Sequence, residues 1–290
     1  MRFDSGFLAP HHAVSRMSGG VFAPAVNVSS PFAPHEVCDC CPGGVAAQGE
    51  NVVALYRNNG FNIRTIWAAS SDDGGMSFGY GAEVDPTNWM INACPSSGPD
   101  AYVTGDSTRF VWMSAASMGT KVYIGSAHLA GLNTGIGRRL TANTSTTPET
   151  FPRIAGSGDT LGVVWQSSTS GNTNIMFAWG VYGAAALSQP MVVNTNTTGQ
   201  QSIPDIAFAN GAFHIVWSDH DAGLVRYRKA TITSTIGIPE VQVEAPRVWP
   251  SPASDQLYFT APDPRCTSLR LCDASGRTVI SASSTTNPPC

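Results

Sequence analysis

Phe110-Val111-Trp112-Met113-Ser114 decides the fold, because the same kind of stretch occurs four times along the chain. Each copy is a short apolar strand that ends in an aromatic residue followed by a polar one. The other copies are residues 53–57, 163–167 and 215–219. The aligned aromatic residues are 56, 53 and 52 residues apart, which indicates internal repeats. These four residues are Tyr56, Trp112, Trp165 and Trp217.

A second marker has a similar period. We align four prolines as the residues that open the repeats, with spacings of 53, 57 and 52 residues: Pro42, Pro95, Pro152 and Pro204. Two further apolar segments follow in every repeat. The third segments are 63–69, 121–127, 174–179 and 224–230, and the fourth are 82–84, 139–141, 191–193 and 241–243. Four short antiparallel strands per repeat predict the blades of an all-β propeller, with the aligned aromatic residues buried between blades.

The composition agrees with short strands and frequent turns. Only 12% of the 290 residues are charged, whereas the chain contains 29 glycines and 20 prolines. The formal net charge of −4 and the lack of a Lys/Arg cluster exclude a nucleic-acid partner. The longest apolar run, residues 175–187, is too short to span a membrane. No signal peptide is visible after Met1.

Residues 71–78, Ser-Asp-Asp-Gly-Gly-Met-Ser-Phe, resemble the Asp-box of sialidases, Ser-x-Asp-x-Gly-x-Thr-Trp. The motif stabilises a turn, because its Asp binds nearby backbone groups and its Gly adopts a strained dihedral angle. It therefore predicts fold rather than catalysis. Residues 15–22 resemble a copy that has lost its Asp. The structural Asp-box residues that we expect are Ser71, Asp73, Gly75, Ser77 and Phe78.

Three further motifs resemble a bacterial group of secreted sialidase-like propellers. They are Cys38-Asp39-Cys40-Cys41-Pro42, residues 89–95 and Gly98-Pro99. The resemblance covers residues 1–245 and implies a sialidase-like β-propeller that binds glycans or glycoconjugates. The sialidase family has six blades, whereas this chain contains four recognisable blades and the outer half of another, at about residues 7–29. We therefore expect a truncated propeller.

Residues 248–257 and 269–279 resemble a sorting domain of the type IX secretion system. The first has a Pro-x-Pro opening, and the second has an apolar-Asp-x-x-Gly-Arg-apolar hairpin. The resemblance implies a second, partial domain at 246–290, a small β-sandwich that is recognised by the secretion machinery. It also implies that the protein is extracellular or bound to the cell surface.

The loop that leads into the first strand of a blade and the loop between its second and third strands lie on the same face. The resemblance makes this face the ligand face. On the ligand face we expect Trp89 and His220 as candidate binding residues. We also expect six candidate catalytic residues there: Glu36, Arg57, Arg64, Glu149, Arg153 and Asp219.

The catalytic set of a sialidase is incomplete in this sequence. That set needs three arginines, a Tyr nucleophile activated by Glu, and an Asp acid. No Tyr lies in an obvious ligand-face loop, and Arg153-Ile154-Ala155 replaces the Arg-Ile-Pro signature. Three functions stay open: a glycan-binding or structural propeller, an exo-acting glycoside hydrolase of the sialidase type, and a metal-binding surface protein. We expect no cofactor.

Seven cysteines support an exported protein, because disulfides persist in oxidising compartments. We expect Cys94 to pair with one of three cysteines, and we favour Cys38 or Cys41 over Cys40. Cys266 and Cys272 are further disulfide candidates, and Cys290 is the candidate for the unpaired thiol. The alternative is a soft-metal site. Its ligands would be His35, Cys38, Cys41 and Cys94, without Cys40, because neighbouring side chains diverge on an extended chain.

Overall fold

The structure is a computed structural model that describes residues 2–3, 10–33, 36–117, 119–132, 137–141, 147–181, 187–232, 248–249, 258–259, 268–272, 275 and 277–283. Every regular element in these ranges is a β-strand. No described segment is a helix with the length and hydropathy needed to cross a bilayer. The chain divides into two compact units, Met1–Ile232 and Thr233–Cys290. The boundary expected at 245/246 lies outside the described residues.

The N-terminal part forms a small sheet and a hairpin. Its strands are β1 (Arg2–Phe3), β2 (His11–Val14), β3 (Met17–Ser18), β4 (Val21–Phe22) and β5 (Val26–Asn27). The sheet has the order β1-β2-β5, and β3 pairs with β4. The hairpin contains the copy of the Asp-box that lacks its Asp. The half-blade expected near residues 7–29 is therefore a three-stranded sheet.

Four blades follow, and all their ladders are antiparallel. The first contains β6 (Gly44–Gln48), β7 (Asn51–Arg57), β8 (Ile66–Ser71) and β9 (Tyr80–Glu83). The second contains β10 (Asp100–Thr104), β11 (Ser107–Ser114), β12 (Lys121–His128) and β13 (Arg138–Arg139). The third contains β14 (Glu149–Ser157), β15 (Thr160–Thr169), β16 (Asn172–Val181) and β17 (Met191–Val192). The fourth contains β18 (Gln201–Ala209), β19 (Ala212–Asp219) and β20 (Leu224–Thr231).

These sheets confirm the predicted all-β propeller fold. In the first three blades the strand order follows the sequence, as a propeller blade requires. The fourth strand expected at residues 241–243 lies outside the described residues.

The aligned aromatic residues form the contacts between successive blades, as the repeat predicts. Trp112 packs between the first and second blades, Trp165 between the second and third, and Trp217 between the third and fourth. Tyr56 packs against the N-terminal segment. All four are buried, with at most 5% of each residue exposed. Every aligned aromatic residue therefore faces the preceding sheet.

The residue before each aromatic residue faces the following sheet. Leu55, Val111 and Val164 lie in the cores that the next blade completes. Val216, the equivalent residue of the fourth blade, is 38% exposed. Alternate residues of one strand thus serve two interfaces, which is how a repeat obtains its core from its neighbours.

The strand register corrects the alignment of the prolines. The partner of Leu55 is Gly44, and the corresponding partners in the next three blades are Asp100, Arg153 and Asp205. The residues just before these four are equivalent: Gly43, Pro99, Pro152 and Pro204. Each lies thirteen residues before its aligned aromatic residue. The assignment of Pro42 and Pro95 to this position was wrong, because the proline spacing alone did not determine the pairing register.

The described residues of the C-terminal unit form two two-stranded sheets. β21 (Val248–Trp249) pairs with β22 (Tyr258–Phe259), and β23 (Ser268–Cys272) pairs with β24 (Thr278–Ser283). The strands β23 and β24 lie on either side of the Asp-x-x-Gly part of the motif in the sequence. Cys266 and Cys290 lie outside the described residues, and Cys272 is the last residue of β23.

Candidate functional site

Hydrogen bonds join the two kinds of loop that were expected on one face. Asn59, after β7, donates its backbone N–H to the carbonyl of Glu36, at 2.8 Å. His220, after β19, donates in the same way to Gln200, at 3.0 Å. The Asp-box lies at the other end of the first blade, where Gly74 N–H binds the carbonyl of Glu50 in the β6–β7 turn. We call the first side the loop face.

The Asp-box residues form a closed network of hydrogen bonds. Ser71 Oγ donates to Asp73 Oδ1 at 2.7 Å and accepts from Gly75 N at 2.9 Å. Asp73 also accepts from the hydroxyl and the backbone N–H of Ser77. These bonds from Ser77 and Ser71 hold the pKa of Asp73 well below its usual range. Gly75 has φ +81, and Phe78 packs against the core of the first blade.

Arg57 is buried completely and is held by backbone carbonyls. Its Nη1 donates to Arg64 O at 2.5 Å, and its Nη2 donates to Ser97 O at 3.2 Å and Met113 O at 2.8 Å. Its guanidinium lies 5.4 Å from the ring centre of Trp89. Desolvation lowers the pKa of Arg57. Arg57 therefore joins the first two blades, and its side chain is not open to a ligand.

Arg64 and Trp89 are also largely buried, with 9% and 7% of each residue exposed. The backbone N–H of Arg64 donates to Trp89 O at 2.8 Å. Glu36 is exposed, and its Oε1 accepts from Asn59 Nδ2 at 3.3 Å. Of these three candidates, only Glu36 is accessible on the loop face.

Glu149 and Asp219 are buried carboxylates with cationic partners. Glu149 lies 3.7 Å from the buried Lys121 and accepts from the Thr141 hydroxyl at 3.0 Å. Asp219 pairs with Arg226 at 3.1 Å. A bond from Ala222 N–H, and then the contact with Arg226, lowers the pKa of Asp219. Both acids thus form ion pairs at the loop-face ends of their blades.

His220 is exposed, and its Nε2 lies 2.6 Å from the hydroxyl of Ser202 on β18. This contact places the imidazole at the start of the innermost strand of the fourth blade. His220 is thus the second accessible candidate on the loop face.

Arg153 is the last of the six catalytic candidates. It belongs to a charged cluster that the sequence analysis did not predict. Asp100, Arg153 and Asp205 occupy the same register position in three successive blades. The innermost strands of adjacent blades contact each other, so these positions surround the propeller axis. Asp100 interacts electrostatically with both Arg153 and Asp205. We call these three residues the axis cluster.

Partial burial affects the pKa of Asp100. Desolvation raises its pKa to about 6, although a hydrogen bond from Ile154 N–H and the charge of Arg153 oppose the shift. The neighbouring charge of Asp205 adds to the increase. Asp100 can therefore carry a proton in mildly acidic solution, as a general acid must.

Two β-bulges lie next to residues of the axis cluster. The register shifts just before Arg153 and just before Asp205. Inside the bulges, Phe151 and Ile203 have φ values of 52° and 51°, a conformation that a β-branched residue such as Ile203 rarely adopts. Bulges redirect side chains, and such strain is often retained at functional sites. The local strain thus lies directly before Arg153 and Asp205 in their strands.

A groove of about 690 Å³ lies beside the cluster, between the N-terminal sheet and the first blade. Its lining includes His12, Phe22, Asp39 and Gly44. Gly44 is in close contact with the second blade, because an added Cβ would lie 2.7 Å from Pro99 O and 3.3 Å from Asp100 Cα. Gly44 therefore connects the groove to the backbone of Asp100, although Asp100, Arg153 and Asp205 are not among the lining residues.

A cysteine cluster lies at the same rim. Cys94 forms a disulfide with Cys40, with the Cα atoms 6.2 Å apart. The preference for Cys38 or Cys41 as its partner was wrong. Those two thiols are buried against each other, with Sγ atoms 3.1 Å apart, whereas Cys40 and Cys94 are exposed.

The two free thiols do not have equal acidity. A hydrogen bond from Cys41, together with the charges of Arg64 and Arg57, lowers the pKa of Cys38 to about 6. Cys41, which donates that bond and is also desolvated, has a raised pKa. His35, the other residue of the metal set expected from the sequence, lies outside the described residues.

The sequence contained a signal for the missed residues. Asp100 and Asp205 directly follow prolines that lie thirteen residues before an aligned aromatic residue, as Arg153 does. Aligning each proline to its own aromatic residue would have placed all three charges at one position.

No family model matches this chain, and no curated protein matches it. Solved structures to which it is similar include an endo-arabinase from Bacteroides thetaiotaomicron, with 13% identity, a TM-score of 0.44, and coverage of 81% of this chain and 89% of that one. Another is a Trypanosoma rangeli sialidase in complex with the inhibitor DANA, with 11% identity, a TM-score of 0.48, and coverage of 80% of this chain and 41% of that one. A third is a thermostable family-43 glycoside hydrolase, with 10% identity, a TM-score of 0.45, and coverage of 69% and 72%. At these identities, the similarities give no residue a role.

Proposed function

We propose that this protein binds a carbohydrate at the axis cluster and in the groove beside it. The observation that carries the proposal is the convergence of Asp100, Arg153 and Asp205 at one register position on three adjacent innermost strands. Carboxylates accept hydrogen bonds from sugar hydroxyls, and a guanidinium donates to sugar oxygens. A concave site with a few convergent polar groups is the usual form of a small-molecule site.

The charges of the cluster favour a neutral sugar. Two carboxylates flank one guanidinium, and the whole chain has a formal net charge of −4. A polyanionic glycan would be repelled by this field, whereas a neutral sugar would not. A single acidic sugar would have only Arg153 as its cationic partner in the cluster.

The second candidate function is an exo-acting glycoside hydrolase that releases terminal sugars from glycoconjugates. It is favoured by the raised pKa of Asp100 beside a second carboxylate, because such hydrolases pair a protonated acid with an ionised carboxylate. The burial of Arg57, Arg64 and Glu149 argues against a sialidase-type clamp made from those residues.

We further propose that the protein acts outside the cell and is exported through its C-terminal unit. A disulfide and the hairpin formed by β23 and β24, at the position of the sorting motif, support this proposal. The test compares the full chain with a chain that ends at residue 245 in a host with a type IX system. The full chain should reach the medium or the cell surface, and the shortened chain should be retained. Equal export of both chains would reject the role of the C-terminal unit.

Binding is tested by screening the oxidised full chain against neutral and acidic glycans and measuring affinity for the best neutral one by calorimetry. Asp205→Asn and Arg153→Gln should each weaken binding about tenfold, because each loses charge-assisted hydrogen bonds. The control is Asp159→Asn, an exposed residue in the β14–β15 turn away from the loop face. Unchanged affinity in both cluster variants would reject the site.

Hydrolysis is tested on the same preparation with a panel of aryl glycosides. Turnover that is lost in Asp100→Asn, while the same variant still binds the uncleaved sugar, would establish the hydrolase. Binding without turnover on any member of the panel supports the binding function alone.

A further inference from the structure

We propose that Cys38, Cys40, Cys41 and Cys94, once reduced, form a binding site for a single soft or borderline cation such as Zn²⁺. The four Sγ atoms lie within 4.8 Å of one another. Four thiolates at about 2.3 Å from one ion form a closed tetrahedral site, the usual arrangement of structural zinc. This site is independent of the carbohydrate site proposed above.

The backbone brings three of the four ligands together. Cys38 N–H donates to Arg57 O at 2.7 Å, which anchors the segment to the end of β7. Cys41 N–H donates to Cys38 O at 3.3 Å, so residues 38–41 form a tight turn. We expected Cys40 and Cys41 to diverge because we assumed an extended chain. The turn makes their sulfurs converge instead.

The arrangement of the sulfurs suits one ion better than a thiol–disulfide relay. In a relay, the attacking sulfur and both disulfide sulfurs must lie in a line. Cys38 Sγ lies 3.4 Å from Cys40 Sγ, so a linear attack would place Cys94 Sγ about 5.4 Å from Cys38 Sγ. All four sulfurs instead lie within 4.8 Å of each other.

The surrounding charge also fits an anionic metal centre. A divalent cation with four thiolates has a net charge of −2. Arg57 and Arg64 both act electrostatically on Cys38, and the Arg57 guanidinium also interacts with Cys41. Among the described residues, no carboxylate forms an ion pair with Arg57, although the buried Asp85 acts on it electrostatically. The two guanidinium groups would offset the charge of the centre.

The oxidation state controls how many ligands are available. In the disulfide form, Cys40 and Cys94 are bonded to each other, and two thiols remain. A dithiol or phosphine reductant supplies two electrons, and the two new thiols take up two protons. Binding of a divalent cation by four thiols then releases four protons. Four-coordinate binding is thus possible only after reduction.

The test uses the full chain with Cys266, Cys272 and Cys290 changed to Ser, so that only the four clustered cysteines remain. The reduced protein is titrated with Zn²⁺, followed by calorimetry and by the reactivity of its thiols. We expect one Zn²⁺ per chain, four thiols protected from alkylation, and recovery of their reactivity on adding a chelator. Co²⁺ should give the charge-transfer and ligand-field bands of a tetrahedral thiolate site. The oxidised protein should show none of these changes.

Cys38→Ser and Cys41→Ser test the ligands without removing the disulfide pair. Each should abolish 1:1 binding in the reduced state, while circular dichroism shows that the β-structure is retained. Zn²⁺ binding that is equally strong in these variants, or equally strong in the oxidised protein, would overturn the proposal. So would a reduced and folded protein that leaves all four thiols reactive in excess Zn²⁺.

Discussion

The backbone N–H of Ile154, in the third blade, donates a hydrogen bond of 2.9 Å to Oδ2 of Asp100 in the second blade. The bond joins two innermost strands at the level of the axis cluster. It also explains how a partly buried carboxylate is tolerated there, since a desolvated acceptor without a partner would cost free energy. A contact that stabilises the propeller therefore also orients a residue of the candidate site.

The protonation of Asp100 should make stability depend on pH. Burial raises its pKa to about 6, so the native state favours the protonated acid. The carboxyl costs nothing at pH values below its unfolded pKa, and it destabilises the fold progressively as the pH rises towards 6. Compared with Asp100→Asn, the wild-type free energy of unfolding should fall by up to about 3 kcal/mol between pH 4 and pH 7. Urea unfolding at a series of pH values measures this difference.

Asp159→Asn is the matched control for that experiment, because Asp159 is an exposed carboxylate in the β14–β15 turn. Its unfolding free energy should follow that of the wild type across the pH range. Parallel curves for the wild type and Asp100→Asn would show that Asp100 is not desolvated.

Val164 and Val216 provide a matched pair for the interfaces between blades. They occupy the same register position, but Val164 is fully buried, whereas Val216 is 38% exposed. Val164→Ala should lower the free energy of unfolding by about 2 kcal/mol, because it removes buried carbons and leaves a cavity. Val216→Ala should lower the free energy of unfolding by less than about half of that amount. Equal decreases in the free energy of unfolding, measured by chemical denaturation, would mean that the face of the fourth blade that carries Val216 is also covered.

The Asp-box should act as a stabilising turn. Asp73→Ala removes the acceptors of bonds from Ser71 and Ser77, so its thermal midpoint should fall more than that of Asp72→Ala, an exposed neighbour. The pKa of Asp73 is lowered in the folded state. Its contribution to stability is therefore fully present above the ordinary Asp pKa and decreases as the pH falls from that value towards the lowered one. The difference between the two variants should therefore shrink in acid. A difference that grows in acid would contradict this.

The cysteine pairing should be visible by differential alkylation. The protein is unfolded at acidic pH to prevent exchange, its free thiols receive one label, and the remaining cysteines receive a second label after reduction. Cys38 and Cys41 should carry the first label, and Cys40 and Cys94 the second. The second label on Cys38 or Cys41 would show a different connectivity. Because the bond links residues 54 apart, a chain-entropy estimate for its loss is about 4 kcal/mol.

Sequence alone predicted the fold well because its signals are local. Each aligned aromatic residue lies in a short apolar strand, and its burial follows from the alternation of side chains in any sheet. The Asp-box also acts within eight residues. Both features can be recognised in the sequence without knowing how the neighbouring blades are placed.

The candidate site was harder to predict, because its features arise between blades. Arg57 was read as a ligand group, but its carbonyl partners Ser97 and Met113 belong to the next repeat. Asp100 and Asp205 become equivalent to Arg153 only when the pairing register is known. The pairing of Cys40 with Cys94 likewise depends on a turn that the spacing of the cysteines does not reveal.

The three carbonyl contacts of Arg57 have a consequence for how the molecule opens. Exposing Arg57 to water would break its bonds to Ser97 and Met113 together with its bond to Arg64 in its own blade. The first two blades should therefore unfold as one cooperative unit in native-state hydrogen exchange. Amide protons in β7 and β11 should share one opening free energy and one dependence on denaturant. The fourth blade, whose outer strand β20 is largely exposed, should exchange earlier and separately.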